Sequence, residues 1–246
     1  MTTSRPETRP SRGSIRARVD AERVPRFDRV ERVVHWCNAT LFGVLLLTGA
    51  ALYAGPVSTL VGRRELVRMV HVYSGLALPI PLVVALCLRA GRQLRADVGR
   101  LSRWIPDDFR WMRTRGRDSG VRLGKFNPGQ KLNATFVGAS ILVMLATGSI
   151  MHWFGHFPDA WRTGATFVHD WFAIGLFFVI AGHILLAFAD RDALDGMVRG
   201  TVTRGWARSK RPRWYSEIRA EERAVERGTA AGDGPGTLAG AARGDR

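Results

Sequence analysis

Cysteine is nearly absent from this chain: two in 246 residues, Cys37 and Cys87, with neither CxxC nor CxxCH spacing. That scarcity argues against a disulfide framework, an iron–sulfur site and covalent attachment of a c-type haem. The two thiols, in separate apolar stretches, read as ordinary buried side chains. Acids are scarce too, 21 against 37 Lys and Arg, for a formal net charge of +16. They are scarcest in the long apolar runs, where Asp170 is the only one. A proton relay across a membrane would more usually place several carboxylates there. The opening also lacks the form of a secretory signal. Roughly thirty polar, Arg-rich residues precede the first apolar run, far more than an n-region holds, so that run reads as a retained span.

What the chain does have is four apolar runs, at roughly Val33 to Tyr53, Arg68 to Leu88, Leu132 to Trp153 and Thr166 to Ala189. Each approaches the ~20 residues a helix needs to cross ~30 Å of hydrocarbon. Pro79 and Pro81 predict a kink in the second. The expected fold is an all-α integral membrane protein, a four-helix transmembrane bundle. Residues 1–30 read as a mobile basic tail, 31–215 as the bundle domain and 216–246 as a disordered Ala/Gly-rich end. Between the second and third spans, Leu94, Val98, Leu101 and Ile105 recur at helical spacing with charges between them. That pattern predicts a helix lying in the membrane interface.

Charge sets the orientation. Nine Arg precede the first span, twelve Lys or Arg lie between Arg89 and Lys131, and twelve more follow Asp190. The first connection has only Arg63, Arg64 and Arg68, and the third only Arg162. Positive charge marks the cytoplasmic side, so both termini and the long middle segment are expected there, in a multi-pass protein of the plasma (bacterial inner) membrane. The basic balance is then topology and attraction to lipid headgroups rather than nucleic-acid binding.

Histidine is costly in lipid and needs a partner. In this topology His71 and His169 fall near the outer surface, and His35 and His183 near the inner one. Fourteen residues separate His169 from His183, roughly 21 Å of helix, and at ~100° per residue both point to nearly the same face. Two matched levels of two histidines suit two axially ligated haems better than zinc, which takes three or four ligands. Interfacial or merely hydrogen-bonded histidines remain an alternative. His152 and His156, among Trp153, Phe154, Phe157 and Trp161, read as surface residues in an aromatic belt.

Four spans with this histidine pattern resemble the di-haem cytochrome b (gamma) subunit of respiratory formate dehydrogenases. The sharper match is GKFNPGQKLN, Gly124 to Asn133, opening the third span. Cytochrome b subunits of nickel–iron hydrogenases and thiosulfate reductases share the helices more than this run. The resemblance covers about residues 25 to 215. It implies two haem b groups, held by the pairs His71/His169 and His35/His183. It implies a menaquinone or ubiquinone site lined by Asn127, Gly129 and Gln130, with Lys125 and Lys131 placed to steady negative charge on the quinone or on haem propionates. Implied partners are an iron–sulfur (beta) subunit and a molybdenum or tungsten catalytic (alpha) subunit that oxidises formate, leaving no formate-oxidising residue in this chain. Two other readings are a cytochrome b subunit of another respiratory dehydrogenase or reductase, and a stand-alone haem b quinone oxidoreductase. Structurally, Asn127 also reads as an N-cap with Pro128 at the first helical position.

Overall fold

The computed structural model describes residues 20, 22–54 and 62–232. Four helical spans in it are long and apolar enough to cross a membrane, as the sequence predicts. Helix α1 is Arg29–Tyr53. The second span is two segments, α2 (Arg64–Ala77) and α3 (Ile80–Cys87). Helices α4 (Arg92–Ser102) and α5 (Pro106–Thr114) lead to the third span, α6 (Pro128–His152). The fourth span is α7 (Asp159–Ala189), followed by α8 (Arg191–Val198), α9 (Arg204–Lys210) and α10 (Pro212–Gly232).

The break at Leu78–Pro79 follows from a missing donor. Proline has no N–H to continue the ladder, so the Leu78 N–H donates to Gly75 O at 3.2 Å and the helix restarts where Val83 N–H donates to Pro79 O at 3.0 Å. Helices α1 and α6 begin earlier than their apolar runs because each is started by a polar box. The Asp28 carboxylate accepts from Glu31 N–H at 2.8 Å while Glu31 accepts from Asp28 N–H at 2.8 Å. Asn127 and Gln130 repeat the device at the head of α6, with Pro128 next to the cap as predicted. Helix α7 has 31 residues, about 46 Å at the usual rise, so it overshoots the hydrocarbon. Leu47, Leu142, Leu185, Leu186 and Phe188 all stand exposed on the spans, where lipid would solvate them.

The well-packed apolar core lies outside the spans. Strand β1 (Arg23–Pro25) pairs antiparallel with β2 (Thr201–Thr203), Val24 opposite Val202. Val24, Val202, Trp206, Ala207 and Trp214 form one buried cluster around that ribbon. Residues 22–30, within the expected tail, therefore hold strand β1 and the start of α1; residues 1–19 and 21 lie outside the described residues. Helix α10 likewise runs through residue 216, the expected start of the disordered end. Trp214 is buried, Tyr215 and Ile218 pack on the ribbon core, and Arg204 holds Glu222 at 2.7 Å. Residues 233–246 lie outside the described residues.

Buried ion pairs fasten the middle segment to this basic end of the bundle. Lys125 is ion-paired with Asp97 of α4, lies 3.6 Å from Glu31 of α1 and sits 4.7 Å over the Phe27 ring. Lys131 holds Asp108 of α5 at 2.5 Å and donates to Arg103 O at 2.8 Å. In α4, the residue most deeply buried is Asp97, with Leu94 and Leu101 half-buried and Val98 exposed. A buried charge stranded without its partner costs several kcal/mol, roughly 3–5. These pairs fix register through charge where the sequence pattern showed only apolar spacing.

Candidate functional site

Two histidine pairs face each other across the bundle, one at each expected level. His35 of α1 and His183 of α7 have ring centroids 6.2 Å apart, and His71 of α2 and His169 of α7 are 6.3 Å apart. No ring nitrogen of one pair bonds the other across the gap. Half of 6.2 Å is 3.1 Å, and subtracting roughly 1.1 Å from ring centre to nitrogen leaves about 2.0 Å, a metal–imidazole bond length. An ion between Nε2 atoms turned inward therefore fits both pairs. Among the described residues no group of three or more His, Cys, Asp or Glu is gathered to hold a bare metal ion. Two opposed imidazoles instead suit an iron whose other four positions are filled by a macrocycle.

The space beside the pairs suits something flat as well. Helix α1 packs along α2, α2 meets α6 and α6 packs along α7, but α7 packs extensively against neither α1 nor α2 among the described residues. Only 6–11% of each apolar window is buried. The buried polar atom Asn38 Oδ1, one turn from His35 on α1, has no partner. Such orphaned polar atoms are rare unless another group completes the site.

Local chemistry fixes how the pair nearer the short loops presents its nitrogens. Thr48 Oγ1 lies 2.9 Å from His71 Nδ1 and gives its single proton to Val44 O at 2.7 Å. Thr147 repeats this on α6, 2.9 Å from His169 Nδ1 and 2.8 Å from Val143 O. A hydroxyl that has donated its proton accepts, so each Nδ1 carries hydrogen and each Nε2 keeps its lone pair for a metal. A Cβ on Gly49 would come 3.3 Å from His71 Cε1, and one on Gly148 3.4 Å from His169 Cε1. The Thr-Gly dipeptides of α1 and α6 are thus a matched seat for the ring presented by the next span. Sequence reasoning passed over the threonines, though the Thr-Gly dipeptide recurs at nearly equal spacing, 23 and 22 residues before each histidine.

The run at the head of α6 is engaged in structure. Asn127 Oδ1 accepts from Gln130 N–H at 2.8 Å, and Gln130 Oε1 accepts from Asn127 N–H at 3.0 Å. Both bonds of this box use amide carbonyl oxygens, so both side chains keep an NH2 donor. Gly129 is exposed, and a Cβ there would meet Asn127 Oδ1 at an ordinary 3.4 Å, so packing does not demand glycine. Lys125 and Lys131, expected to face a ligand, are instead neutralised by Asp97 and Asp108.

Two further cations nearby are Arg26, which sequence reasoning left within the N-terminal tail, and Arg211, which it did not single out. They are 3% and 6% exposed and flank the Trp206 ring at 4.5 and 5.2 Å. Arg26 donates to Lys125 O at 3.3 Å and Arg211 to Gln130 Oε1 at 3.3 Å, while both Nε atoms are buried without a partner. Burial, then repulsion from Arg211, lowers Arg26 to about 9. Burial lowers Arg211 to about 10, with Asp190 opposing. Both stay charged at neutral pH. His152, 3.4 Å from Arg68, and exposed His156 lie apart from the two pairs.

The family model described as prokaryotic cytochrome b561 matches residues 26–200. The nitrate-inducible formate dehydrogenase cytochrome b556(Fdn) subunit of Escherichia coli (strain K12) is 28% identical over 207 residues, covering 78% of this chain and 90% of that protein. The formate dehydrogenase cytochrome b556 subunit of Haemophilus influenzae is 27% identical, covering 79% and 83%. The formate dehydrogenase cytochrome b556(fdo) subunit of E. coli (strain K12) is 26% identical, covering 80% and 93%.

Proposed function

The chain belongs to the prokaryotic cytochrome b561 family, and from that premise we propose that it is the membrane-embedded cytochrome b subunit of a formate dehydrogenase. In this reading it holds two haem b groups and joins formate oxidation by partner subunits to reduction of quinone. The observation carrying it is the pair of facing histidine couples, with ring centroids 6.2 and 6.3 Å apart, inside four apolar spans. His71/His169 and His35/His183 are the axial ligands, and Thr48 and Thr147 hold the first pair in the ligating tautomer. Bound there, haem supplies reversible one-electron transfer, the step that two-electron formate oxidation and quinone reduction must share. The apolar spans keep water from the route.

Quinone binds at the head of α6. The NH2 groups of Asn127 and Gln130 orient a carbonyl oxygen, and Gly129 lets the ring approach the backbone. Each quinone takes up two electrons and two protons, the protons from the basic end, which faces the cytoplasm by its charge. An iron–sulfur subunit docks at the opposite end, where the connections are short, and a molybdenum or tungsten subunit beyond it oxidises formate. The names of the relatives favour formate over other donors.

The protein purified after expression with haem available is expected to give a reduced-minus-oxidised spectrum of b-type haem, with about two haems per chain, and to carry iron–sulfur and pterin subunits. A haem-free preparation overturns the proposal, and copurification with a hydrogenase reassigns the donor. Asn127→Asp keeps the capping oxygen, since Asp caps as well as Asn, but removes the NH2 donor. Quinone turnover is expected to fall about tenfold, the worth of roughly 1.4 kcal/mol, with haem content unchanged. Unaltered kinetics would reduce this run to a helix cap.

A further inference from the structure

The second span ends in arginines that neither haem nor quinone uses. Its apolar run stops at Leu88, and Arg89, Arg92 and Arg95 follow at three-residue spacing. All three line one open cavity of about 510 Å³, together with Asp28, Ala90 and Gln93. Other cations at this end have acids to meet: Lys125 and Arg100 meet Asp97, Lys131 meets Asp108, and Arg110 meets Asp118. Among the described residues the side chains of Arg89 and Arg92 have neither an ion pair nor a hydrogen bond. The one acid lining the cavity, Asp28, is engaged as the cap of α1, where it accepts from Glu31 N–H at 2.8 Å. Three positive charges thus face one committed negative charge.

The turn that carries these arginines is pinned on both sides. Gly91 is buried against the end of α3, where a Cβ would collide with Ala85 O. Arg95 donates from one nitrogen to Leu86 O and Leu88 O at 2.7 and 2.8 Å, closing the last turn of α3 and leaving its other N–H groups for a ligand. Depth identifies that ligand. Arg89 follows directly on a helix that exposes Ile80, Val83, Val84 and Leu88, and Asp28 stands five residues before the apolar run of α1. The cavity therefore lies where hydrocarbon gives way to headgroups, with an apolar helix face leading down from it. We propose that Arg89, Arg92 and Arg95 bind the phosphate of an anionic phospholipid in the leaflet at the basic end, its acyl chains lying along the exposed face of α3. Guanidiniums take phosphate oxygens in pairs, and a basic pocket at the membrane surface favours a headgroup of net negative charge. A quinone brings no such charge, and a soluble phosphate leaves the apolar face unused. The site stands independently of the haem ligands.

Native mass spectrometry of the delipidated full-length protein, titrated with dioleoylphosphatidylglycerol or dioleoylphosphatidylcholine, tests this. The wild type is expected to bind its first phosphatidylglycerol about tenfold more tightly than phosphatidylcholine. In the double variant Arg89→Gln, Arg92→Gln that preference is expected to fall to about twofold or less. The double variant Arg113→Gln, Arg117→Gln removes the same charge from exposed arginines elsewhere at this end and is expected to keep it. An unchanged preference in the first variant overturns the site. An equal loss in both overturns it in favour of a general attraction to a basic surface. Inorganic phosphate that displaces phosphatidylglycerol at equal concentration overturns it in favour of a soluble phosphate. Should the first variant fail to accumulate, phenylglyoxal modification of the wild type in nanodiscs reads the same contact. Arg89 and Arg92 are then expected to react about tenfold more slowly in phosphatidylglycerol than in phosphatidylcholine, with Arg113 changing less. Equal rates in the two lipids overturn the proposal.

Discussion

His183→Ala is expected to remove the haem nearer the basic end and to abolish quinone reduction. The substitution leaves His35 facing empty space across 6.2 Å, with no second imidazole on α7 within reach: His169 lies at the other level and is already opposite His71. Neither cysteine offers a substitute. Both Cys37 and Cys87 are exposed, not buried as their apolar stretches suggested. Haem content is expected to drop from about two to about one per chain, and formate is expected still to reduce the haem that remains. Pyridine haemochrome analysis with a quinone assay measures both. Retention of both haems would break the pairing of His35 with His183.

His169→Ala has the mirror-image effect with a different kinetic signature. It takes away one proposed ligand of the opposite pair and leaves Thr147 Oγ1 without its partner at 2.9 Å. One haem is again expected to be lost, but now the one nearer the docked subunits. Formate should then reduce nothing in this chain, while a small diffusible reductant still reduces the surviving haem and, after it, quinone. If formate reduced the remaining haem at the normal rate, the proposed order of the two centres along the route would be reversed.

The spans and the histidine levels were legible because lipid enforces simple rules: long apolar runs, few charges, and a costly imidazole only where something binds it. The helix break at Pro79 and the cap at Asn127 followed from local chemistry of the same directness. What the sequence hid depends on contacts far apart in the chain. Lys125 meets Asp97 across 28 residues, Arg26 reaches the carbonyl of Lys125 across 99, and the Arg23 guanidinium donates to the carbonyl of Thr201 across 178. Composition alone made residues near Arg26 and after Glu217 look like tails. Their order comes from one apolar side chain in two or three, Val24 and then Trp214 with Ile218, set into a cluster that no local window contains. The threonines at positions 48 and 147 were missed for another reason. A hydroxyl within an apolar helix usually serves only its own backbone, and here it serves a neighbouring ring as well.

The ribbon joining Val24 to Val202 also sets an order of assembly. Its first strand precedes every span and its second follows the last, so the clasp cannot shut until nearly all of the chain has been made. Until then α1 and α2 stand in the bilayer as an open hairpin, with α7 still to come. A planar guest can slip in sideways during that interval, whereas afterwards it would have to force apart helices already latched at one end. Closure of the bundle at that end is thus coupled to completion of the chain.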